Sequence, residues 1–208
     1  MISIFSIIFT MFFVTSCSHA PAGADAADAG LGPADAAKPN DADAARPPDP
    51  DASRDASTSF ALTSPAFVDG GTLPATFTCD GEGVSPPLAW SGVPDGTREL
   101  ALLMTTEARD GRKWNWVLHA IPASIGSIAR GARDVGVAGL TSDGPLLQYS
   151  PPCSQGPGAK GYTFTLYALS GAPALPSAPN QVTGAVLEAA IAGKTLARAS
   201  LAVSATRP

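Results

Sequence analysis

The chain has 208 residues, 45% of them hydrophobic and 15% charged, and carries a formal net charge of −5. That length is enough for a domain with a proper core. The charge balance contains no basic stripe, which excludes nucleic acid as a partner.

The chain opens MISIFSIIFTMFFVTSC. The apolar run over residues 2–14 is shorter than the roughly 20 residues that cross a hydrocarbon core. It has the length of a signal-peptide core. Val14-Thr15-Ser16-Cys17 resembles the lipobox of bacterial lipoproteins. The resemblance implies a signal peptide over residues 1–16, lipidation of Cys17 and attachment to a membrane of the bacterial cell envelope. Ser18 after the cysteine implies the outer membrane. An ordinary secretory signal with an incidental Cys17 is the alternative.

Residues 17–58 are mostly Ala, Asp and Pro, with almost nothing large. Such a segment buries too little apolar surface to offset the entropy of ordering it. It is predicted to be a disordered tether, kept extended by prolines and like charges, with a span beyond the about 35–40 Å of a flexible chain. Its eight aspartates face Lys38, Arg46 and Arg54, a net −5, which leaves ten acids and ten bases in residues 59–208. The sequence pI of 4.8 therefore describes the tether and not the domain.

Residues 59–208 form the predicted domain. Asp69-Gly70-Gly71, Asp80-Gly81, Pro94-Asp95-Gly96, Arg109-Asp110-Gly111 and Ser142-Asp143-Gly144 punctuate it with turns. Between them, residues 75–78, 88–90, 99–106, 114–121 and 162–169 have strand character. In the last, Tyr162, Phe164, Leu166 and Ala168 alternate with Thr163, Thr165 and Tyr167. Residues 100–104 are apolar without alternation, the mark of a strand buried on both faces. A helix capped by Thr183 carries Val186, Leu187, Ala190 and Ile191 as an apolar stripe and stops near Gly193. Residues 196–205 alternate again as a last strand. Trp114 and Trp116 flank Asn115 and, by alternation, share the face opposite to it. Short strands at this spacing indicate a mostly β fold, an antiparallel sandwich or barrel.

Two segments stand out, FTCDGEGVSPPLAWSGVPDGT (77–97) and YSPPCSQGPGAKGYTFTLYALS (149–170), with LALLM and WVLHAIPA between them. In order and spacing they resemble the phosphatidylethanolamine-binding protein family, also called Raf kinase inhibitor-like proteins, in its bacterial YbhB/YbcL-type branch. The resemblance covers nearly all of residues 59–208. It implies a sandwich of antiparallel sheets with a few short peripheral helices. It also implies a surface pocket for anionic groups such as phosphate esters and phospholipid head groups. Cys79 and Cys153 fall one in each segment. An oxidising envelope permits a Cys79–Cys153 disulfide, with two buried thiols as the alternative.

The family pocket carries an Asp-Pro-Asp segment after the LALLM-type strand, a histidine in the next strand, a Gly-Pro-Cys turn and a second histidine. Here Thr106 stands at the first aspartate, Asn115 at the first histidine, and Pro151-Pro152-Cys153 at the turn. Lys160 stands near the second histidine. Asn115 has two N–H donors and does not titrate. Lys160 brings a fixed positive charge. Gly156, Gly158 and Gly161 could turn backbone N–H groups inward. The expected ligand-binding set is Thr106, Asn115, Tyr149, Pro152, Cys153 and Lys160.

The expected function is an envelope-anchored binding module for an anionic small molecule or phospholipid head group. A protein-docking or inhibitor module with a non-functional pocket is the second reading. The third is a hydrolase, for which Cys153–His119 is the one nucleophile pairing available. No Gly-x-Ser-x-Gly, His-Glu-x-x-His or metal-ligand cluster is present. The chain is therefore expected to be no enzyme, with no metal site and no cofactor. Asp80, Glu82, Glu107 and Asp110 are read as solvated carboxylates.

Overall fold

The computed structural model describes residues 59–144, 147–153, 155 and 157–207. The signal peptide, Cys17 and the tether lie outside the described residues, as does Gly156. Among the described residues nine strands form two sheets, β1 (Ala61–Thr63), β2 (Gly71–Thr72), β3 (Leu88–Ser91), β4 (Glu99–Ala108), β5 (Gly111–Pro122), β6 (Ser127–Ile128), β7 (Val137–Ala138), β8 (Lys160–Leu169) and β9 (Thr195–Ala205). The smaller sheet runs β1-β3-β6 and the larger runs β2-β9-β8-β4-β5-β7. All pairings are antiparallel except β2 with β9. One α-helix, α1 (Gly184–Ile191), and two 3-10 turns complete the secondary structure of the described residues.

Strand β4 lies between two cores, which is why it reads as uninterrupted apolar sequence. Leu100, Leu102 and Met104 point between the sheets to meet Leu62, Trp90, Phe164, Leu166 and Leu201. Ala101 and Leu103 point the other way and pack with Val117, Leu169, Leu187 and Ile191 under α1. Residues 100–104 are fully buried. Thr183 caps α1 by accepting the Val186 N–H at 3.2 Å. The helix approaches so closely that a Cβ on Gly184 would stand 2.1 Å from the Trp114 indole.

Residues 75–78 are not a strand. Ala75–Phe77 is a 3-10 turn entered from Pro74. The Thr78 hydroxyl donates back to the Ala75 carbonyl at 2.9 Å, and the Gly81 N–H donates to the Thr78 carbonyl at 3.2 Å. These local bonds outcompete strand pairing. Asp80, Glu82, Glu107 and Asp110 sit at the surface, paired with Arg207, Arg130, Arg112 and Lys113.

Two β-bulges bend β5. Met104 pairs with Trp116 and Thr105 with Trp114, so Asn115 is an extra residue against β4. The insertion breaks the expected alternation. Trp116 enters the core between the sheets, while Trp114 packs on the α1 side. The second bulge lies between the Leu100–Ile121 and Leu102–Leu118 pairs and contains Ala120, at φ 53°. The Ala120 N–H bonds to the Glu99 carboxyl, partly offsetting the desolvation that pushes that group above its ordinary value.

His119 precedes Ala120. Its Nε2 is buried without a hydrogen-bond partner among the described residues. Burial pushes the imidazole below its ordinary value. Below about pH 6.5 the unfolded chain takes up this proton more readily than the folded one, so stability falls as pH drops through that value toward the folded pKa. Thermal midpoints measured from about pH 7.5 down to about 5.5 should fall in the wild type and fall less in His119→Phe. Glu99 acts in the opposite sense, so the readout is the difference between the two proteins.

Candidate functional site

The bulge at Asn115 leaves its carbonyl without a partner on β4, and the 141–150 loop satisfies it. The Ser150 N–H donates to the Asn115 carbonyl at 2.7 Å. One residue earlier, Trp114 receives the Ser142 N–H at 2.9 Å and donates its own N–H to the Ser142 hydroxyl at 2.9 Å. The loop is thus sewn to the bulged strand, and the Asn115 side chain lies beside it, 4% exposed.

Around this seam lies an open cavity of about 820 Å³. Thr106, Asn115, Cys153 and Lys160 all line it, brought together from β4, β5, the 151–160 loop and the start of β8. Pro152 is buried behind them on a smaller cleft beside Thr78 and Asp80, with its carbonyl accepting the Cys79 N–H at 3.0 Å. Tyr149 does not reach the rim. Its ring packs edge-on against Trp116 and its hydroxyl donates to the Phe77 carbonyl at 2.7 Å. Burial, with Tyr162 nearby, pushes this phenol far above its ordinary value, so it stays a neutral donor.

Cys79 and Cys153 are joined in a disulfide, with Cα atoms 5.2 Å apart. Together with the two hydrogen bonds just described, it ties the 77–79 turn to residues 149–153. It also withholds the Cys153 sulfur from any nucleophilic pairing with His119. Gly158 has the left-handed conformation, at φ 89°. Gly161 instead lies in β8, where its carbonyl accepts the Thr106 hydroxyl at 2.7 Å.

The polarity of Asn115 is the reverse of the expectation. Its Nδ2 donates to the Ser150 carbonyl at 3.3 Å and to Asp143 Oδ2 at 3.4 Å. These acceptors set the amide orientation. Oδ1 is left buried with no partner among the described residues. Asn115 therefore spends its donors on the loop and shapes the cavity wall rather than presenting N–H groups to a ligand.

Asp143 is the site residue that sequence reasoning missed. Its Oδ2 also accepts the Ser150 hydroxyl at 2.8 Å. In the sequence it carries only the signature of a turn, and nothing in Ser142-Asp143-Gly144 ties it to a position 28 residues earlier.

The ionic groups on the wall divide into paired and unpaired. Lys113 is held by Asp110 at 2.6 Å, a contact that keeps the Asp110 carboxyl below its ordinary range, and Glu107 is held by Arg112 at 2.8 Å. Arg109, Lys160 and Asp143 also line the cavity and make no ion pair among the described residues. No cluster of three or more His, Cys, Asp or Glu suited to a metal ion occurs among the described residues.

A family model described as phosphatidylethanolamine-binding protein matches residues 63–206. Among curated proteins, the chain is similar to the UPF0098 protein of Methanothermobacter thermautotrophicus, 37% identical over 115 residues, covering 52% of this chain and 75% of that one. It is also similar to a Mycobacterium tuberculosis protein named as lipoprotein LppC, 36% identical over 132 residues, covering 62% of this chain and 65% of that one. Among solved structures it is similar to a phosphatidylethanolamine-binding protein homologue from Chlamydia trachomatis, with 29% identity, a TM-score of 0.66 and coverage of 72% and 98% of the two chains. Escherichia coli YbcL shares the fold at 23% identity, a TM-score of 0.65 and coverage of 72% and 99%.

Removing the Asp143 carboxylate takes an acceptor from both Asn115 and Ser150. Asp143→Ala is expected to lose about 1 kcal/mol of stability, a fall of about 2–4 °C in Tm by calorimetry for a domain of this size. Asp143→Asn keeps one acceptor oxygen and should recover part of that loss.

Proposed function

Because the chain belongs to the phosphatidylethanolamine-binding protein family, we propose that it is a binding module for a small phosphate ester or phospholipid head group, held in the cavity beside Asn115. One observation carries this reading. Two cations without ion-pair partners among the described residues, Arg109 and Lys160, line the same cavity as the Asp143 carboxylate. The cations suit phosphoryl oxygens, through charge-assisted bonds stronger than those between neutral groups. The Asp143 carboxylate on the same wall, with acceptor capacity beyond its bonds from Asn115 and Ser150, suits an N–H or O–H on the same ligand. The ligand that fits has an anionic group and a hydrogen-bond donor close together.

No histidine lines this cavity among the described residues. Affinity is therefore expected to vary little between about pH 5 and about pH 8, apart from titration of the ligand itself. Isothermal titration should show phosphoethanolamine binding the full chain, with Lys160→Ala weakening it about tenfold. Equal affinity in the two proteins would rule out this placement of the anion.

The envelope placement rests on the residues 1–17 pattern and is supported by the similarity to a protein named as a lipoprotein. In this reading Cys17 holds the lipid, the acidic segment over residues 18–58 spaces the domain from the bilayer, and the outer membrane is the destination. Among the described residues no helix is long and apolar enough to cross a membrane. Cells fed a radiolabelled fatty acid should incorporate it into the wild-type chain and not into Cys17→Ala; label in both would reject the anchor.

A further inference from the structure

The bulged strand and its neighbouring loop have a second side. Asn115 and Ser150 line the cavity already described, whereas their chain neighbours Trp116 and Tyr149 line a different one. The two cavities have no lining residue in common. The second has a volume of about 160 Å³. Val84, Leu118 and Val135 complete its apolar wall beside the two aromatic rings, whose centroids are 5.4 Å apart at 80°. The Tyr149 hydroxyl is already bonded to the Phe77 carbonyl, so Tyr149 offers this cavity its ring rather than a polar tip.

Size and wall chemistry point to a ligand class. A space of about 150 Å³ is large enough for one benzene ring, and beyond the apolar wall the lining is polar, with Ser85, Arg133 and Gln148. The rim adds a single charge. Arg133 is exposed and donates from one terminal nitrogen to Gln148 Oε1 at 2.7 Å. That partner is neutral, and Arg133 makes no ion pair among the described residues. A guanidinium has five N–H donors in a fork that matches a carboxylate. With Oε1 turned to Arg133, the Gln148 amide keeps its NH₂ as a further donor.

We propose that this cavity is a second ligand site, for a small monocarboxylic acid bearing one ring or a short branched chain. The apolar group occupies the space against Trp116 and Tyr149, and the carboxylate meets Arg133 at the rim. The site is independent of the phosphate-ester site on the other side of the seam.

Benzoate and benzyl alcohol are suitable probes, alike in ring and different in charge. Ligand-observed NMR on the full chain should show saturable benzoate binding, with a Kd of about 1 mM for so small a molecule. Arg133→Gln, at an exposed position, should weaken benzoate about tenfold and leave benzyl alcohol unchanged. Ala132→Leu, which fills the cavity from its wall, should abolish both, with circular dichroism checking that the fold is kept. Phosphoethanolamine should not displace benzoate. The proposal is overturned if benzoate shows no saturable binding to the wild type, if Arg133→Gln binds it as tightly, or if phosphoethanolamine displaces it. Absence of benzoate binding alongside capture of a protein partner through this rim would likewise overturn it, in favour of a docking pocket for a side chain. Failure of benzoate to bind, or its undiminished binding to Arg133→Gln, does not bear on whether phosphoethanolamine itself binds beside Asn115.

Discussion

One inserted residue organises this molecule. Strand β5 carries Asn115 as an extra residue against β4, and the two tryptophans beside it leave on opposite faces. Trp116 enters the space between the sheets. Trp114 meets α1, where only glycine at position 184 allows so close an approach. The carbonyl that β4 no longer pairs is taken up by Ser150, so the bulge also decides where the 141–150 loop lies. A buried backbone group has to find a partner, and that requirement links a local kink to the placement of a loop 35 residues away.

The same seam separates two environments with different chemistry. On one side are Asn115, Ser150 and Asp143, joined by hydrogen bonds into one polar group. On the other are Trp116 and Tyr149, packed edge to face. Adjacent residues in an extended chain point opposite ways, so residues 115–116 and 149–150 each serve both sides. The disulfide and the two hydrogen bonds between the 77–79 turn and residues 149–153 hold the far edge of this arrangement.

Charge is arranged by subtraction. The acids of the hairpin near the cavity are taken by Arg112 and Lys113, which leaves Arg109 and Lys160 on the wall. In a domain with equal numbers of acids and bases, two cations are thus left on this wall without an ion-pair partner, alongside the Asp143 carboxylate that Asn115 and Ser150 hold. Net charge could not reveal this, because it counts groups without regard to which are paired.

The β-rich architecture, the doubly buried β4 and the capped helix were legible in the sequence. Each depends on local periodicity or on residues a few positions apart, and unbroken apolar sequence in β4 or Thr183 before an apolar stripe states such a requirement directly. The resemblance to a known family brought Thr106, Asn115, Cys153 and Lys160 into view, and these four do converge on one cavity. Three features were decided only in three dimensions. The 75–78 segment turned rather than extended, because Thr78 and Gly81 bond back onto it. The tryptophans parted, because a bulge is a mismatch between two strands and neither strand encodes it alone. Asn115 turned its donors to Asp143 and Ser150, because the direction of an amide follows from its neighbours in space, which chain order does not contain.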